Sequence, residues 1–464
     1  MAVAAGGSHT VAVGEDGSLF VFGDGGKGQL GTGDTANALY PRLSQREVGG
    51  LPPSSGPVRQ VAAGYNHTGI VTEAGDLLMC GGGRFGQLGL GNEADRTTLT
   101  LVPRAEFDGE EVLMVACGLY HTAAVTEVGG VYTFGYGGVG NLGHGDEEDQ
   151  LAPRRVPAAG FNGEQVVMVA AGRGHTVALS EAGHVFTWGN GDYGRLGHDD
   201  EEDQRAPRQV EAGRFGGEKV VFVAAGGDHT LAVTAGGRLY TWGLGCYGQL
   251  GHGDTGNRWV PTEVGSGTFG GSAVVMAACG YLHTLVVTQD GALWACGWGG
   301  KGRLGLNDVA PRHVFERVGA GAFGGARVVA AAAGDDHSAA VTEDGALWTW
   351  GNGGNGQLGH DDVWNRWVPT RVAVAEWYDT RIGRCRPLLT PHALAFAMSA
   401  HARLGAASPL ATLAGESGLL TMIASAANRW IGDVAGKSEG LIRLLGGVSA
   451  ARRRRYVQTT QAGS

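Results

Sequence analysis

Between Val220 and Gly243 the chain reads VVFVAAGGDHTLAVTAGGRLYTWG, three short runs of β-branched, aromatic and small apolar residues cut by glycine pairs. Val220, Phe222 and Ala224 alternate with Val221, Val223 and Ala225, the period of a strand. His229 to Thr234 and Arg238 to Trp242 are two more such runs. Ala235-Gly236-Gly237 between them is hairpin chemistry, with glycine where φ turns positive, and Glu15-Asp16-Gly17, Gln289-Asp290-Gly291 and Glu343-Asp344-Gly345 match it elsewhere. A fourth run brackets a proline, at Pro41, Pro103, Pro153, Pro207, Pro261, Pro311 and Pro369. Proline has no N–H to give to a ladder, so that strand belongs at the edge of its sheet. The pattern predicts small antiparallel sheets of four strands.

The unit recurs. A Gly-x-x-His-Thr/Ser motif places His9, His67, His121, His175, His229, His283 and His337 at intervals of 58 and then 54 five times. A period of this size marks a repeat architecture, and seven small sheets close most simply as a radial propeller. The chain enters a repeat at Ala2 to Gly6 and the last repeat runs out near Val374. Residues 1–13 are therefore expected to pair with the strands of residues 345–375, hiding both sheet edges.

A second motif follows the third run of each copy, as in WGNGGNGQLGH (Trp350 to His360). Gly351, Gly353 and Gly356 fit the G-x-G-x-x-G pattern of a dinucleotide-binding turn, but that turn needs a helix after it and an acidic residue about 20 positions on. Here x-Leu-Gly, polar residues and a proline follow, in every copy. The glycines read as turn formers that supply positive φ and close backbone approach.

Together the two motifs resemble the repeat of the regulator of chromosome condensation family, across residues 1 to about 375 and in all seven copies. The resemblance implies an all-β fold, a seven-bladed β-propeller of four-stranded antiparallel blades. It implies less about function, since family members include a guanine-nucleotide exchange factor for the small GTPase Ran, a plant UV-B photoreceptor, substrate-binding modules of ubiquitin ligases and scaffolds without chemistry. The exchange factor uses a projecting β-wedge, whereas only the first blade's connection is longer here, by four residues around Gly49 to Gly56. The photoreceptor carries Gly-Trp-Arg-His-Thr in several copies; no tryptophan stands between Gly and His here. The reading is a non-enzymatic protein–protein interaction platform, with an exchange factor for a small GTPase or a substrate-binding adaptor of a ubiquitin ligase as alternatives.

Composition then adjusts the picture. The period absorbs the 86 glycines. Cys80, Cys117, Cys246, Cys279, Cys296 and Cys385 show no C-x-x-C spacing; Cys80 and Cys296 replace an aromatic and Cys117 and Cys279 an alanine, so they read as buried core thiols in a reducing compartment. No stretch approaches 18 uninterrupted apolar residues and the first residues show no basic region or cleavage site, so a soluble protein is expected, cytoplasmic or nuclear. Residues 1–375 carry 24 Lys+Arg against 40 Asp+Glu, and residues 376–464 carry 11 against 5. The acidic propeller would repel nucleic acid and is expected to meet a protein, basic or a small GTPase. Residues 376–464 leave the repeat and turn rich in Ala, Leu and Met, with Ser408-Pro409 as a helix start and Gly446-Gly447 as a stop, so a small C-terminal α-helical extension is expected. Arg452 to Arg455 gives it a basic tail, a weak nuclear-import or acidic-surface signal.

The repeated histidines obey a seven-fold rule, whereas a catalytic or metal site draws different residue types together. They read as buried imidazoles that bond neighbouring backbone and pin the turn before them. Trp188, Trp242, Trp294, Trp348 and Trp350 read as core. Function is then sought where copies differ. The pairs between Gly and His are Gly7-Ser8, Tyr65-Asn66, Leu119-Tyr120, Arg173-Gly174, Gly227-Asp228, Tyr281-Leu282 and Asp335-Asp336. Tyr65, Tyr120, Arg173, Asp228, Tyr281, Asp335 and Asp336 make a candidate contact face near the hub, because Tyr and Arg dominate protein-binding hot spots. A second candidate is the acidic sector of two neighbouring blades, Asp146, Glu147, Glu148 and Asp149 with Asp199, Asp200, Glu201, Glu202 and Asp203. It lacks the glycine spacing of a calcium loop. No nucleophile, metal cluster or phosphate cradle stands out, and no cofactor is expected.

Overall fold

A computed structural model describes residues 2–14, 17–44, 56–319 and 321–373. They form seven separate four-stranded antiparallel sheets, spanning residues 2–43, 58–101, 112–155, 166–209, 220–263, 274–317 and 328–371 and here called blades one to seven. In each, the strands neighbour one another in chain order, so the run next to the proline is the outer edge; Pro41, Pro153, Pro207, Pro261 and Pro369 lie within it, while Pro103 follows and Pro311 precedes their strands. Blade seven is representative: Val328–Ala333, His337–Thr342, Leu347–Gly351 and Arg366–Arg371, with His337 opposite Gly351 and Gly351 opposite Arg366. Gly351 sits at φ 102° where the register shifts. Gly353 has a negative φ, but a Cβ there would run into the Trp364 carbonyl. The dinucleotide-like motif is thus a bulge and a tight loop, with five short 3-10 turns and no α-helix among the described residues.

The ring closes differently from the expectation. Blade one is complete within itself, since Ala2–Ala5 pairs with His9–Val13 (Ala2 opposite Val13, Ala5 opposite Thr10). Residues 1–13 therefore donate no strand to the sheet of residues 345–375, and blades one and seven meet through the same contacts as any other pair. Three concentric rings of seven hydrogen bonds make those contacts. At the hub, the residue after each motif glycine donates its N–H to that glycine's carbonyl in the next blade, as in Tyr65 to Gly118 and, across the seam, Asp335 to Gly6 at 3.3 Å. At the rim, the third-to-fourth-strand loop donates to the next outer strand, as in Gly33 to Thr97 and Asp361 to Leu39, both at 2.8 Å.

The middle ring is made by the histidines and corrects their expected role. Each Nε2 lies 2.9–3.1 Å from the hydroxyl that follows the histidine of the next blade: His9 to Thr68, His67 to Thr122, His121 to Thr176, His175 to Thr230, His229 to Thr284, His283 to Ser338 and His337 to Thr10. Each hydroxyl donates in turn to a loop carbonyl of the blade that holds the histidine, such as Gln29 for Thr68 and Gln357 for Thr10. A hydroxyl has one proton, already given to the carbonyl, so Nε2 must carry the imidazole hydrogen and Nδ1 the lone pair. Burial holds these rings neutral, with pKa values depressed to about 3 for His9 and His67 and about 4 for His121, His229 and His337. The turn itself is held by main chain, as in the Gly6 N–H to the His9 carbonyl at 2.9 Å.

Between blades the core is apolar. Trp188, Trp242 and Trp350 are fully buried, each against the Leu-Gly glycine of the preceding blade, and Phe161, Phe215 and Phe323 meet them edge-on. Trp294 and Trp348 are half-buried against Phe269 and Phe323. Cys80 and Cys296 are buried, Cys117 and Cys279 line the central channel and Cys246 is exposed, against the expectation of a core thiol. Burial pushes the thiols of Cys80 and Cys117 up to about 12. No helix among the described residues is long and apolar enough to cross a membrane. The extra residues around Gly49, the Glu15-Asp16 turn, the expected helical extension with its basic tail and Cys385 lie outside the described residues.

Candidate protein-interaction site

His121 pairs with Gly135 and Gly135 with Gln150, so the Gly-x-x-His turns and the third-to-fourth-strand loops emerge on one face of the ring, here called the upper face. The two residues of each variable pair take different places on it. The first, Gly7, Tyr65, Leu119, Arg173, Gly227, Tyr281 or Asp335, lines the mouth of the central channel, a cavity of about 140 Å³. Among these, Arg173 donates to the Tyr281 hydroxyl at 2.8 Å and lies 5.7 Å from the ring centroid. Asp335 is half-buried, and its carboxylate has no hydrogen-bond or ion-pair partner within reach among the described residues. Burial and the neighbouring Asp336 charge push its carboxyl up to about 6 against the opposing pull of Arg303 and Arg173.

The second residues meet the adjoining loops. Tyr120 stacks on Tyr65 at 5.8 Å and on Phe85 at 5.0 Å, and Phe85 on Tyr136 at 5.4 Å, an aromatic run across blades two and three. Asp228 and Asp336 go elsewhere. Asp228 is 6% exposed, with its carboxylate 2.7 Å from Arg195 of blade four. Asp336 meets Arg303 and Lys301 of blade six, each at 2.6 Å. Burial raises the Asp336 carboxyl, but Lys301 and Arg303 outweigh it and leave the group below its ordinary value. Arg303 is fully buried, 4.1 Å over the Trp298 ring, and donates to the Asp335 carbonyl at 2.8 Å. These three ion pairs fasten blade four to five and six to seven.

Arg195 and Arg303 were not among the residues picked from the sequence, although a signal exists. The residue before Leu-Gly reads Gln29, Gln87, Asn141, Arg195, Gln249, Arg303 and Gln357, and each arginine is answered by an aspartate before the next blade's histidine. The aromatics Phe85, Tyr136, Tyr193, Tyr247 and Trp298 were likewise missed, although Phe85, Tyr193 and Tyr247 share the position before the third motif glycine and Tyr136 and Trp298 the position after the first.

The acidic sector is largely absorbed by the repeat. Asp149 and Asp203 accept the N–H of Gly137 and Gly191 at 2.8 and 2.7 Å, as Asn37 and Asn257 do in their blades. Asp146 and Asp200 cap the loop and pair with Arg154 and Arg208 at 3.0 and 3.1 Å, as Asp254 does with Arg258. Asp199, at φ 69°, takes the left-handed position that Gly33, Gly145 and Gly253 fill elsewhere, and lies 3.6 Å from Arg214. Glu147 reaches Arg205 at 2.9 Å and Glu201 the Trp259 indole N–H at 3.0 Å, both on the next blade. Glu148 and Glu202 alone of the nine have no side-chain partner among the described residues.

The chain matches the model of the RCC1-like domain over residues 150–385, and the regulator of chromosome condensation (RCC1) repeat over residues 16–71 and 74–125. It belongs to the RCC1 repeat family. Among its relatives it is 36% identical over 372 residues to the ultraviolet-B receptor UVR8 of Arabidopsis thaliana, covering 79% of this chain and 80% of that one. It is 35% identical over 352 residues to the E3 ubiquitin-protein ligase HERC2 of Homo sapiens, covering 75% of this chain but 7% of the ligase. To the secretion-regulating guanine nucleotide exchange factor of Bos taurus it is 33% identical over 328 residues, covering 65% of this chain and 67% of that one. The crystal structure of human WBSCR16 superposes with a TM-score of 0.67 at 26% identity, covering 77% of this chain and 95% of that one.

Proposed function

We propose that the protein is a non-enzymatic interaction platform that binds a protein partner on its upper face. The observation that carries this is the aromatic run of Tyr65, Tyr120, Phe85 and Tyr136, which continues into the hub residues Arg173, Tyr281 and Asp335. Tyr65 is 44% exposed although it stacks on a neighbour, and amphipathic rings held rigid by their own packing make contact area at low entropic cost. The loops 146–149 and 199–203 form the rim of this face, with Glu148 and Glu202 free to meet a basic side chain. Asp228 and Asp336 support the face from beneath. Affinity purification with the full chain tests the reading. Changing Tyr65 and Tyr120 together to Ser should cut recovery of the co-purifying proteins at least tenfold while the melting curve stays sharp, and unchanged recovery would sink it. Similarity to the secretion-regulating exchange factor is consistent with a small GTPase as second reading, which requires face-dependent capture of the nucleotide-free form.

A further inference from the structure

Six of the seven residues at the channel mouth are neutral or already engaged. Gly7, Leu119 and Gly227 carry no polar side chain. Tyr281 folds over Gly227, where a Cβ would meet its Cδ2 at 2.7 Å, and Arg173 clasps its hydroxyl. That side of the mouth is closed. Tyr65 likewise folds over Gly7, where a Cβ would meet Cδ2 at 2.8 Å, but nothing clasps its hydroxyl among the described residues. On the far side of Gly7 stands Asp335, whose main-chain N–H is taken by Gly6 and whose carboxylate is not, whereas the adjoining Asp336 has both Arg303 and Lys301. Gly7 thus leaves a gap in the ring of side chains at the mouth, between the unpaired Asp335 carboxylate and Tyr65.

We infer that this gap is the seat of a lysine side chain of the protein partner, with its ammonium on the Asp335 carboxylate and its methylenes against the Tyr65 ring. The inference rests on the upper face being the contact surface and adds the chemistry of its central contact. A half-buried carboxylate without a partner is poorly solvated, and a cation that arrives with the ligand offsets that cost. Cation–aromatic attraction adds to it. The geometry selects an ammonium over a guanidinium. The mouth is narrow, and the slender ammonium of lysine enters it more readily than the broad, planar guanidinium of arginine. A cavity of about 140 Å³ also holds one side chain and not a folded element.

The full chain labelled with 3-fluorotyrosine reports on this by fluorine NMR, the Tyr65 signal being assigned by loss in Tyr65→Phe. The probes are Nα-acetyl-lysine amide and its uncharged analogue Nα-acetyl-norleucine amide. The lysine probe should shift the Tyr65 signal saturably with a Kd of millimolar order, at least about tenfold tighter than norleucine, and Asp335→Asn should remove the difference. The effect should fade below about pH 6, as the carboxyl, faced by Asp336, Arg303, Arg173, Tyr65 and Tyr281, takes up its proton. Equal shifts from both probes, no saturable shift, or a lysine preference that survives in Asp335→Asn and in the smaller Asp335→Ser would overturn the lysine seat. Partner capture separates the two readings. If Tyr65 and Tyr120 matter there and Asp335 does not, the platform stands without this contact; if none matters, the platform reading itself falls.

Discussion

His337 and Thr10 stand 327 residues apart in the chain and 2.9 Å apart across the seam where the ring closes. No linker crosses between blade seven and blade one, yet their clasp matches the six that linkers support. Closure is therefore carried by side chains, loop hydrogen bonds and packing, not by a strand shared between the two ends. Thr10→Val should orphan both the His337 N–H and the Gln357 carbonyl and lower stability by about 1–3 kcal/mol. Thr230→Val should lower it by a similar amount. Chemical denaturation of both variants checks this: a loss at Thr230 with none at Thr10 would mean that the seam is not closed in solution.

Deleting residues 1–13 removes the two inner strands of blade one together with His9 and Thr10. It should abolish the cooperative transition and not merely shift it, because Leu19–Gly23 would lose its inner partner and two inter-blade clasps would vanish. A sharp melt at the parent temperature would refute this account of closure.

The neutral histidines make stability depend on acid. Each folded pKa lies below the ordinary value of 6.5, to about 3 at His9 and His67 and about 4 at His121, His229 and His337, so the unfolded chain binds more protons. Their contribution is complete above pH 6.5 and is lost as pH falls from there towards 4. Each proton taken up on unfolding steepens the loss by about 1.4 kcal/mol per pH unit, so these five rings alone set a slope of roughly 7. His144, His198 and His360, each depressed by burial to about 4, steepen it further. Asp335, raised to about 6, acts in the opposite sense as a single group. Denaturant titrations between pH 7 and 5 should show a sharp fall, and a flat profile would mean that the rings are not buried neutral.

The repeat made most of this architecture legible. Strand period, hairpin glycines and edge prolines are local signals, and a local signal printed seven times is hard to misread. The partners of His229 and Thr230 were not legible, because neighbours on a strand face opposite ways and each meets a different blade. The clasp is visible only once blades stand side by side. Closure was misjudged for a related reason: Ala2–Ala5 is a short strand of small residues, but it suffices to complete blade one. In the acidic loops the sequence shows nine carboxylates, and only the backbone tells that Asp199 is a left-handed turn residue and Asp203 a cap.

That division of labour within the loops can be tested. Asp203→Ala removes the acceptor of the Gly191 N–H and should cost about 1–2 kcal/mol, as loss of a capping side chain does. Glu202→Gln should leave stability within about 0.5 kcal/mol, since an exposed side chain without a partner holds nothing together. If the rim meets a basic partner, the Glu148→Gln and Glu202→Gln double variant should slow association at low salt. An Asp203→Ala protein as stable as the parent would return that residue to the solvated surface.

Arg195 and Asp228 show what a charged clasp does where other blades use neutral groups. Arg195 is 4% exposed and Asp228 6%, so removing one partner strands the other charge away from water. Asp228→Asn alone should cost about 3–5 kcal/mol. Arg195→Gln alone should cost similarly, with the carboxylate now the orphan. Gln and Asn are the pair that blades one and two carry at these positions, as Gln29 and Asn66. The double variant Arg195→Gln with Asp228→Asn should therefore recover most of the loss and leave a coupling energy of several kcal/mol in a double-mutant cycle. Additive losses would mean that each residue is held by its other neighbours, Arg195 by the Asp192 carbonyl and the Tyr193 ring, and that the ion pair does not fasten blade four to blade five.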